Sequence, residues 1–282
     1  MNDKMKNLLI RALSGVGLIV VVLGGIVLSQ WSFAAVLLLM ILGGMTEFYA
    51  LSERQQIAPQ RVLGLLMGVL LFLVNYAFVS NEIEVLGAAQ KPFLFGLAML
   101  LLMVPLIFIC ELYRKAENPA ANIGATLMGV FYVALPLSLI LYMPLIGSEV
   151  WNPWIVVAYI ATVWSNDVFA YLVGMSIGRH RLFERLSPKK SWEGFFGGLV
   201  GAVAAGLVAA HLLGASYGVW VGLALVAAVT AVLGDLAESM FKRAAGVKDS
   251  GAMIPGHGGV LDRFDALFLS APFVFVYMLF VC

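Results

Sequence analysis

Long apolar runs separated by short polar segments dominate the chain. A helix of about 20 apolar residues crosses a hydrocarbon core of roughly 30 Å. Nine runs approach that length, at residues 12–28, 31–51, 62–79, 93–110, 123–145, 154–174, 194–213, 217–234 and 266–281. This pattern predicts an all-α, polytopic integral membrane protein with about nine transmembrane helices.

Composition supports the same class, because 62% of the 282 residues are hydrophobic, 12% are charged, and mean hydropathy is +0.99. Soluble domains of average composition lie well outside this range. The loops are short, so we expect a single membrane domain over 1–282. Residues 1–150 are interpreted as a helical scaffold without functional motifs, and residues 151–282 as the catalytic helices and cytoplasmic loops.

Basic residues indicate the orientation, because Lys and Arg are enriched in cytoplasmic loops. With the N-terminus inside, every Lys and Arg of the 17 except Lys91 falls on the cytoplasmic side. The pattern therefore predicts an N-in, C-out topology. The basic residues cluster in two cytoplasmic segments, 179–190 and 235–265, and anionic headgroups or nucleotides are the natural counterions for such clusters.

Ionisable residues inside spans are costly, and each is a functional candidate. Asp167 lies deepest, about a third of its span from the cytoplasmic end. It is either a functional carboxylate or a structural one paired with Asn166, a Trp indole or a basic loop residue. Glu47 and Arg11 lie nearer the interface, where long side chains can extend toward water, so a structural role is favoured for both.

The segment "GDLAESMFKR" at 234–243 continues the eighth span. Helical spacing places its polar residues on one stripe. These residues are Asp235, Glu238, Ser239, Lys242 and Arg243. Surface ion pairs alone contribute only about 0.3–0.5 kcal/mol each, which does not account for the arrangement.

A glycine-rich loop follows this stripe and contains "PGHGGVLDRFD" at 255–265. We expect it to present Lys248, Asp249, His257, Asp262, Arg263 and Asp265 to the stripe. Carboxylates beside a basic cradle suit Mg²⁺, which binds one or two carboxylates together with substrate phosphate oxygens. A zinc site is not expected, because the three histidines include no closely spaced pair.

At these residues the chain resembles the phosphatidate cytidylyltransferase family, the CDP-diacylglycerol synthases. The signature of that family is filled here at Ser239, Lys242, Arg243, Lys248, Asp249, Pro255, Gly256, His257, Gly258, Gly259, Asp262, Arg263 and Asp265. The resemblance also covers 187–198, where Ser191 replaces a more frequent Thr but keeps the hydroxyl, and 167–178.

The resemblance implies transfer of CMP from CTP to phosphatidate, giving CDP-diacylglycerol and pyrophosphate in phospholipid biosynthesis. It further implies Mg²⁺, with a monovalent cation such as K⁺ as an option, and a homodimer in the inner (cytoplasmic) membrane with its site facing the cytoplasm. No nucleic-acid partner is implied. By position, Asp235 and Asp262 are similar to the metal-binding carboxylates of the family.

The remaining roles are assigned by chemistry within that resemblance. Four bases, Lys242, Arg243, Lys248 and Arg263, are expected at the triphosphate or headgroup. The acids Asp167, Asp249 and Asp265 are expected as further metal ligands or as acceptors that orient these bases. The glycine loop would donate N–H groups to phosphate oxygens. The expected substrate-binding residues are Ser187, Lys189, Lys190, Ser191, Ser239, His257, Gly258, Gly259 and Asp167, of which Lys189 and Lys190 would bind the lipid phosphate.

Alternative functions remain open from the residues alone. A related CTP-dependent prenylglycerol-phosphate cytidylyltransferase or a lipid kinase could place similar groups at the same membrane face. An ion-coupled transporter using Asp167 is the alternative from another class. Polar residues concentrated at one cytoplasmic edge count against transport, which needs a route through the midplane.

Overall fold

The chain folds almost entirely into helices, as the apolar pattern predicts. The computed structural model describes residues 3–81, 90–147, 150–254, 256 and 258–282. The helices in these residues are α1 (Asp3–Leu28), α2 (Gln30–Arg54), α3 (Arg61–Asn81), α4 (Gln90–Arg114), α5 (Pro119–Gly129), α6 (Leu135–Leu139), α7 (Trp154–Ile177), α8 (Trp192–Leu213), α9 (Tyr217–Ala244) and α10 (Leu261–Val281). A π-helical turn, Val130–Ala134, joins α5 to α6, and a 3₁₀ segment, Ile140–Leu145, follows α6.

Eight of the helical segments in the described ranges are long and apolar enough to cross a bilayer. They are Gln30–Arg54, Arg61–Ser80, Phe93–Arg114, Pro119–Leu145, Trp154–Ile177, Trp192–Leu213, Tyr217–Ala244 and Leu261–Val281. Each overlaps one of the last eight predicted spans, and the first predicted span coincides with a shorter apolar helix, Ala12–Leu28. The protein is therefore a helical, multi-pass integral membrane protein. The count of nine and the orientation stay predictions.

The described residues pack into two compact units. Unit 1 is drawn from Met1–Leu141 and Ala244–Arg263, and unit 2 from Tyr142–Arg243 and Phe264–Cys282.

Helix α2 supplies much of the core of unit 1. Tyr49 is fully buried, and its hydroxyl donates to the Thr126 carbonyl oxygen at 2.8 Å. A Cβ at Gly64 or Gly129 would overlap the Tyr49 side chain, so glycine at both positions makes room for it. One phenol thereby fixes α2 against α3 and α5.

A second buried group in unit 1 is the Glu111 carboxylate of α4, whose exposed fraction is 4%. It accepts hydrogen bonds from Gln60 Nε2 at 2.7 Å, Asn122 Nδ2 at 2.7 Å and Arg114 Nη1 at 2.9 Å. A buried carboxylate is tolerated when donors and a cation surround it. Glu111 therefore ties three segments of unit 1 together.

Helices α7 and α8 of unit 2 pack with their backbones in close approach. A Cβ at Gly194 would lie 2.7 Å from the Ala170 carbonyl oxygen, and one at Gly198 would lie 2.6 Å from Asn166 Oδ1. Small residues permit such approach in membranes, where lipid is as apolar as leucine and helix association depends on van der Waals contact. Helices α7 and α8 therefore hold fixed positions at the two ends of the segment that joins them.

That segment is a short antiparallel hairpin of strands β1 (Arg181–Phe183) and β2 (Ser187–Ser191), which the sequence did not predict. Its ends are fastened to α8. Glu193 accepts from the backbone N–H of Arg179 at 3.0 Å and contacts His180 Nδ1 at 2.6 Å. Ser191 Oγ caps α8 by accepting from Gly194 N at 3.1 Å. The hairpin therefore holds its basic residues at a defined place.

Candidate active site

A cleft of about 520 Å³ in unit 2 collects several of the predicted site residues. Its polar lining includes Asp167, Lys189, Lys190, Ser191 and Asp235, all predicted from the sequence, together with Arg181. Its apolar lining includes Tyr171, Met175, Leu182, Phe195 and Val232. Charged groups beside an apolar wall suit a ligand with an anionic head and a lipid tail.

Asp235 and Lys190 form an ion pair at this cleft, with 2.6 Å between Asp235 Oδ2 and Lys190 Nζ. Ser239 Oγ donates to Asp235 Oδ1 at 3.3 Å. Asp167 Oδ1 accepts from Asn166 Nδ2 at 3.3 Å, which is the structural pairing considered from the sequence. Ser187 lies at the start of β2 and is half-buried. The hairpin and the C-terminal half of α9 thus supply adjacent base and acid.

The polar stripe of α9 is confirmed, because α9 runs without interruption to Ala244. Lys242 forms an ion pair with Glu238 one turn earlier, and their side chains are only 12% and 1% exposed. Glu238, which the sequence placed on the stripe but not in the site, is the most buried acid there. Arg243 is exposed near the end of the helix.

Three carboxylates converge where α9 meets α10. Asp235, Glu238 and Asp265 each offer one oxygen within 4.8 Å of the others. The helices approach closely at this point, since a Cβ at Gly234 would lie 2.7 Å from the Asp265 carbonyl oxygen. Clustered carboxylate oxygens suit a hard cation such as Mg²⁺. The donor set therefore fits the predicted metal.

The glycine-rich loop lies in unit 1. It begins after α9 at Gly246, whose φ of +69° belongs to the left-handed region in which glycine ends helices. Lys248 and Asp249 are exposed, Gly258 has a φ of +86°, and Gly259 is buried. His257 lies outside the described residues, so its predicted role stays a prediction.

Asp262, Arg263 and Asp265 were expected in this loop, and that expectation was wrong. Helix α10 begins at Leu261 and contains all three. Asp262 Oδ2 accepts from Gly259 N and from Ser250 N, each at 2.9 Å, and the Ser250 hydroxyl oxygen lies 2.9 Å from it. An acid is favoured in the first turn of a helix, and these bonds hold the preceding loop against that turn, so a helix that starts earlier than hydropathy indicates is stabilised. Arg263 is exposed.

Glu47 of α2 is a buried acid whose contacts with the glycine-rich loop sequence reasoning missed. It was expected to extend toward water, but its exposed fraction is 6%. Glu47 Oε1 accepts from Val260 N at 3.0 Å, and Oε2 accepts from Leu261 N at 2.9 Å and Ser250 Oγ at 3.0 Å. The available signal was a carboxylate inside a predicted span, which marks a functional candidate by its cost.

Comparison with known proteins gives a consistent result across most of the chain. A family model described as the cytidylyltransferase family matches residues 9–281. A phosphatidate cytidylyltransferase of Brucella abortus is 36% identical over 247 residues, covering 83% of this chain and 80% of that protein. One of Synechocystis sp. is 33% identical over 279 residues, covering 90% of each chain.

A phosphatidate cytidylyltransferase of Haemophilus influenzae is 44% identical over a shorter stretch of 128 residues, which is 42% of this chain and 43% of that protein. The longer matches and the family model each cover most of the chain. The chain belongs to the cytidylyltransferase family.

Proposed function

We propose that the protein is a phosphatidate cytidylyltransferase, which transfers the cytidylyl group of CTP to phosphatidate and releases pyrophosphate. The names of its relatives support the reaction. The cleft of unit 2 is the observation that carries it to this chain, since basic side chains and carboxylates line it together with an apolar wall. An amphiphilic phosphate fits those surroundings better than a water-soluble acceptor does.

The reaction needs no protein nucleophile, because the phosphatidate oxygen is already anionic. It forms a bond to the α-phosphorus of CTP, the bond from that phosphorus to the bridging oxygen breaks, and pyrophosphate leaves. Positioning and neutralisation of charge then supply most of the rate. Lys189 and Lys190, held by the hairpin, are the proposed partners of the lipid phosphate, with Arg181 beside them in the cleft.

Mg²⁺ is the proposed cofactor, and the convergence of Asp235, Glu238 and Asp265 supports it. When bound, the cation would supply charge neutralisation at the triphosphate. Asp235 also pairs with Lys190, so the cation-binding acid and the base proposed for the lipid phosphate are neighbours. That adjacency would bring the attacking oxygen close to the α-phosphorus.

The roles predicted for the other residues are retained in this proposal. Asp262 remains a proposed metal ligand, and Asp249 and Asp167 remain proposed as further ligands or as acceptors that orient the bases. Lys242, Arg243, Lys248 and Arg263 are the proposed triphosphate or headgroup bases, and Ser187, Ser191, Ser239, His257, Gly258 and Gly259 are proposed substrate contacts. We also propose nine spans with the N-terminus inside, a homodimer, and a cytoplasm-facing site in the inner membrane.

The test uses purified protein in detergent with Mg²⁺, a panel of lipid phosphates, and CTP labelled at either the α or the γ position. We expect α label in the lipid, release of pyrophosphate, and phosphatidate as the preferred acceptor. Entry of γ label into the lipid with CDP as by-product would instead establish kinase chemistry. Preference for a prenylglycerol phosphate would keep the reaction type and change the substrate.

A further inference from the structure

We infer that Glu47 is a positioning residue that holds Asp262 and the start of α10 in place through Ser250 and the backbone of the glycine loop. The inference rests on the proposed function, in which Asp262 binds the metal. All the groups involved belong to unit 1. Glu47 is separated from them by more than 200 residues, since its bond to Ser250 spans 203 positions and its bond to Leu261 spans 214.

The Glu47 carboxylate is stabilised by the backbone at the start of α10. Burial of an ionised carboxylate is costly unless donors or positive charge compensate it. Here both oxygens accept from the backbone at the N-terminus of α10, Oε1 from Val260 N and Oε2 from Leu261 N. Helix N-termini carry unpaired N–H groups and a partial positive charge. Glu47 therefore caps α10 from a different helix.

Ser250 lies between two carboxylates, those of Glu47 and Asp262. Its hydroxyl oxygen is 3.0 Å from Glu47 Oε2 and 2.9 Å from Asp262 Oδ2. A serine hydroxyl carries one hydrogen, so it donates to one of these acids at a time while it contacts both. The Ser250 backbone N–H also donates to Asp262 Oδ2. Ser250 thus links the position of Asp262 to that of Glu47.

Two glycines of the loop, Gly251 and Gly259, pack closely against the Glu47 carboxylate. A Cβ at Gly251 would lie 2.5 Å from Glu47 Oε1, and a Cβ at Gly259 would overlap Glu47 Oε2 and Ser250 Oγ. The loop backbone is therefore wrapped closely around this carboxylate. A glycine is required at each point because the carboxylate occupies the space of a side chain, and the loop shape depends on Glu47 being there.

The test is Glu47→Gln, with binding of Mn²⁺ measured by electron paramagnetic resonance without CTP or lipid. The amide NH₂ would face donors instead of accepting from them, so Asp262 would lose its support. Groups that orient metal ligands typically change affinity by about 10- to 100-fold, and we expect a loss in that range. Hydrogen exchange of the Val260 and Leu261 amides should also become faster in metal-free protein.

Glu111→Gln is the matched control, because Glu111 is equally buried in unit 1 but accepts from Gln60, Asn122 and Arg114. It should lower stability comparably and leave Mn²⁺ affinity unchanged. If Glu47→Gln does not fold, Ser250→Ala removes the link between the two acids and should weaken Mn²⁺ binding in the same direction.

A double-mutant cycle separates positioning from a general loss of structure. If Glu47 acts through Asp262, the variant carrying both Glu47→Gln and Asp262→Asn should bind Mn²⁺ no more weakly than Asp262→Asn alone. Additive losses, or wild-type affinity in Glu47→Gln, would overturn the inference. The Mn²⁺ measurement contains no substrate, so neither result decides the outcome of the α-label transfer test. A wild-type protein that binds no Mn²⁺ would overturn the inference as well.

Discussion

Replacement of Asp235 by Asn should separate the chemistry of the site from its stability. The ion pair with Lys190 is partly exposed, at 26% for the lysine and 36% for the aspartate side chain, and such pairs contribute about 0–1 kcal/mol. Loss of one charge also relieves repulsion from Glu238 and Asp265. The two effects oppose each other, so the unfolding temperature should change by at most about 2–4 °C.

Turnover should respond quite differently. Charge stabilisation by a metal is worth several kcal/mol in the transition state, and each 1.4 kcal/mol corresponds to about a tenfold change in rate. We therefore expect Asp235→Asn to lower α-label incorporation by about 10²–10³-fold, with partial recovery at high Mg²⁺. The assay is a Mg²⁺ titration of initial rates in detergent, with unfolding followed on the same preparation.

Glu53→Gln is the control for this experiment. Glu53 forms an ion pair with Arg61 in unit 1, with exposed fractions of 45% and 39%, and it lies outside the candidate site. The Glu53→Gln variant should change the unfolding temperature by about as much as Asp235→Asn does, and it should keep full activity. Wild-type rates for Asp235→Asn at limiting Mg²⁺ would refute a metal-binding role, and a loss of activity that tracks a large drop in unfolding temperature would indicate a structural role instead.

Two further predictions concern the loop and the topology. Gly259→Ala should abolish most activity because the added methyl overlaps Glu47. Gly124→Ala is the control and should be neutral, because there is open space around Gly124. Equal rates for the two variants in the α-label assay would contradict the packing. Single cysteines in the segments 179–193 and 235–265, in a background freed of the two native thiols, should resist an impermeant reagent in intact cells and react after lysis. Labelling from outside would reverse the proposed orientation.

Hydropathy and helical period could be read from the sequence with good accuracy. The last eight predicted spans overlap helices long enough to cross a bilayer, because an apolar run of this length has one stable arrangement in lipid. The stripe from Asp235 to Arg243 was predictable for a similar reason: residues three and four apart share a helix face. Asp167 of the cleft was found from the cost of a carboxylate inside a span, and the bases of the hairpin from their clustering at 179–190; the family resemblance added Ser187 and Ser191.

The features that escaped prediction depend on contacts between distant segments. The hairpin at 181–191 is short and charged, so it gives no clear alternation of apolar residues. Helix α10 starts at Leu261 because Glu47 satisfies the N–H groups of Val260 and Leu261, and no local signal reports a cap that comes from α2. Glu47 itself was assigned to the interface because it lies near the end of a predicted span. That position says nothing about which loop folds over the side chain.

The close approach of α7 and α8 has a consequence for which sequences this protein can tolerate. In most of the lipid-facing surface, exchange of one apolar residue for another changes little, because lipid accommodates any shape. At Gly194, Gly198 and Gly201, an added methyl would meet a backbone oxygen, the Asn166 amide or the Phe169 ring at 2.5–2.7 Å. Substitutions that hydropathy scores as improvements, such as glycine to valine, should be the most damaging ones along this seam. A library selected for growth should therefore keep glycine at these three positions, although none of them offers a side chain for chemistry.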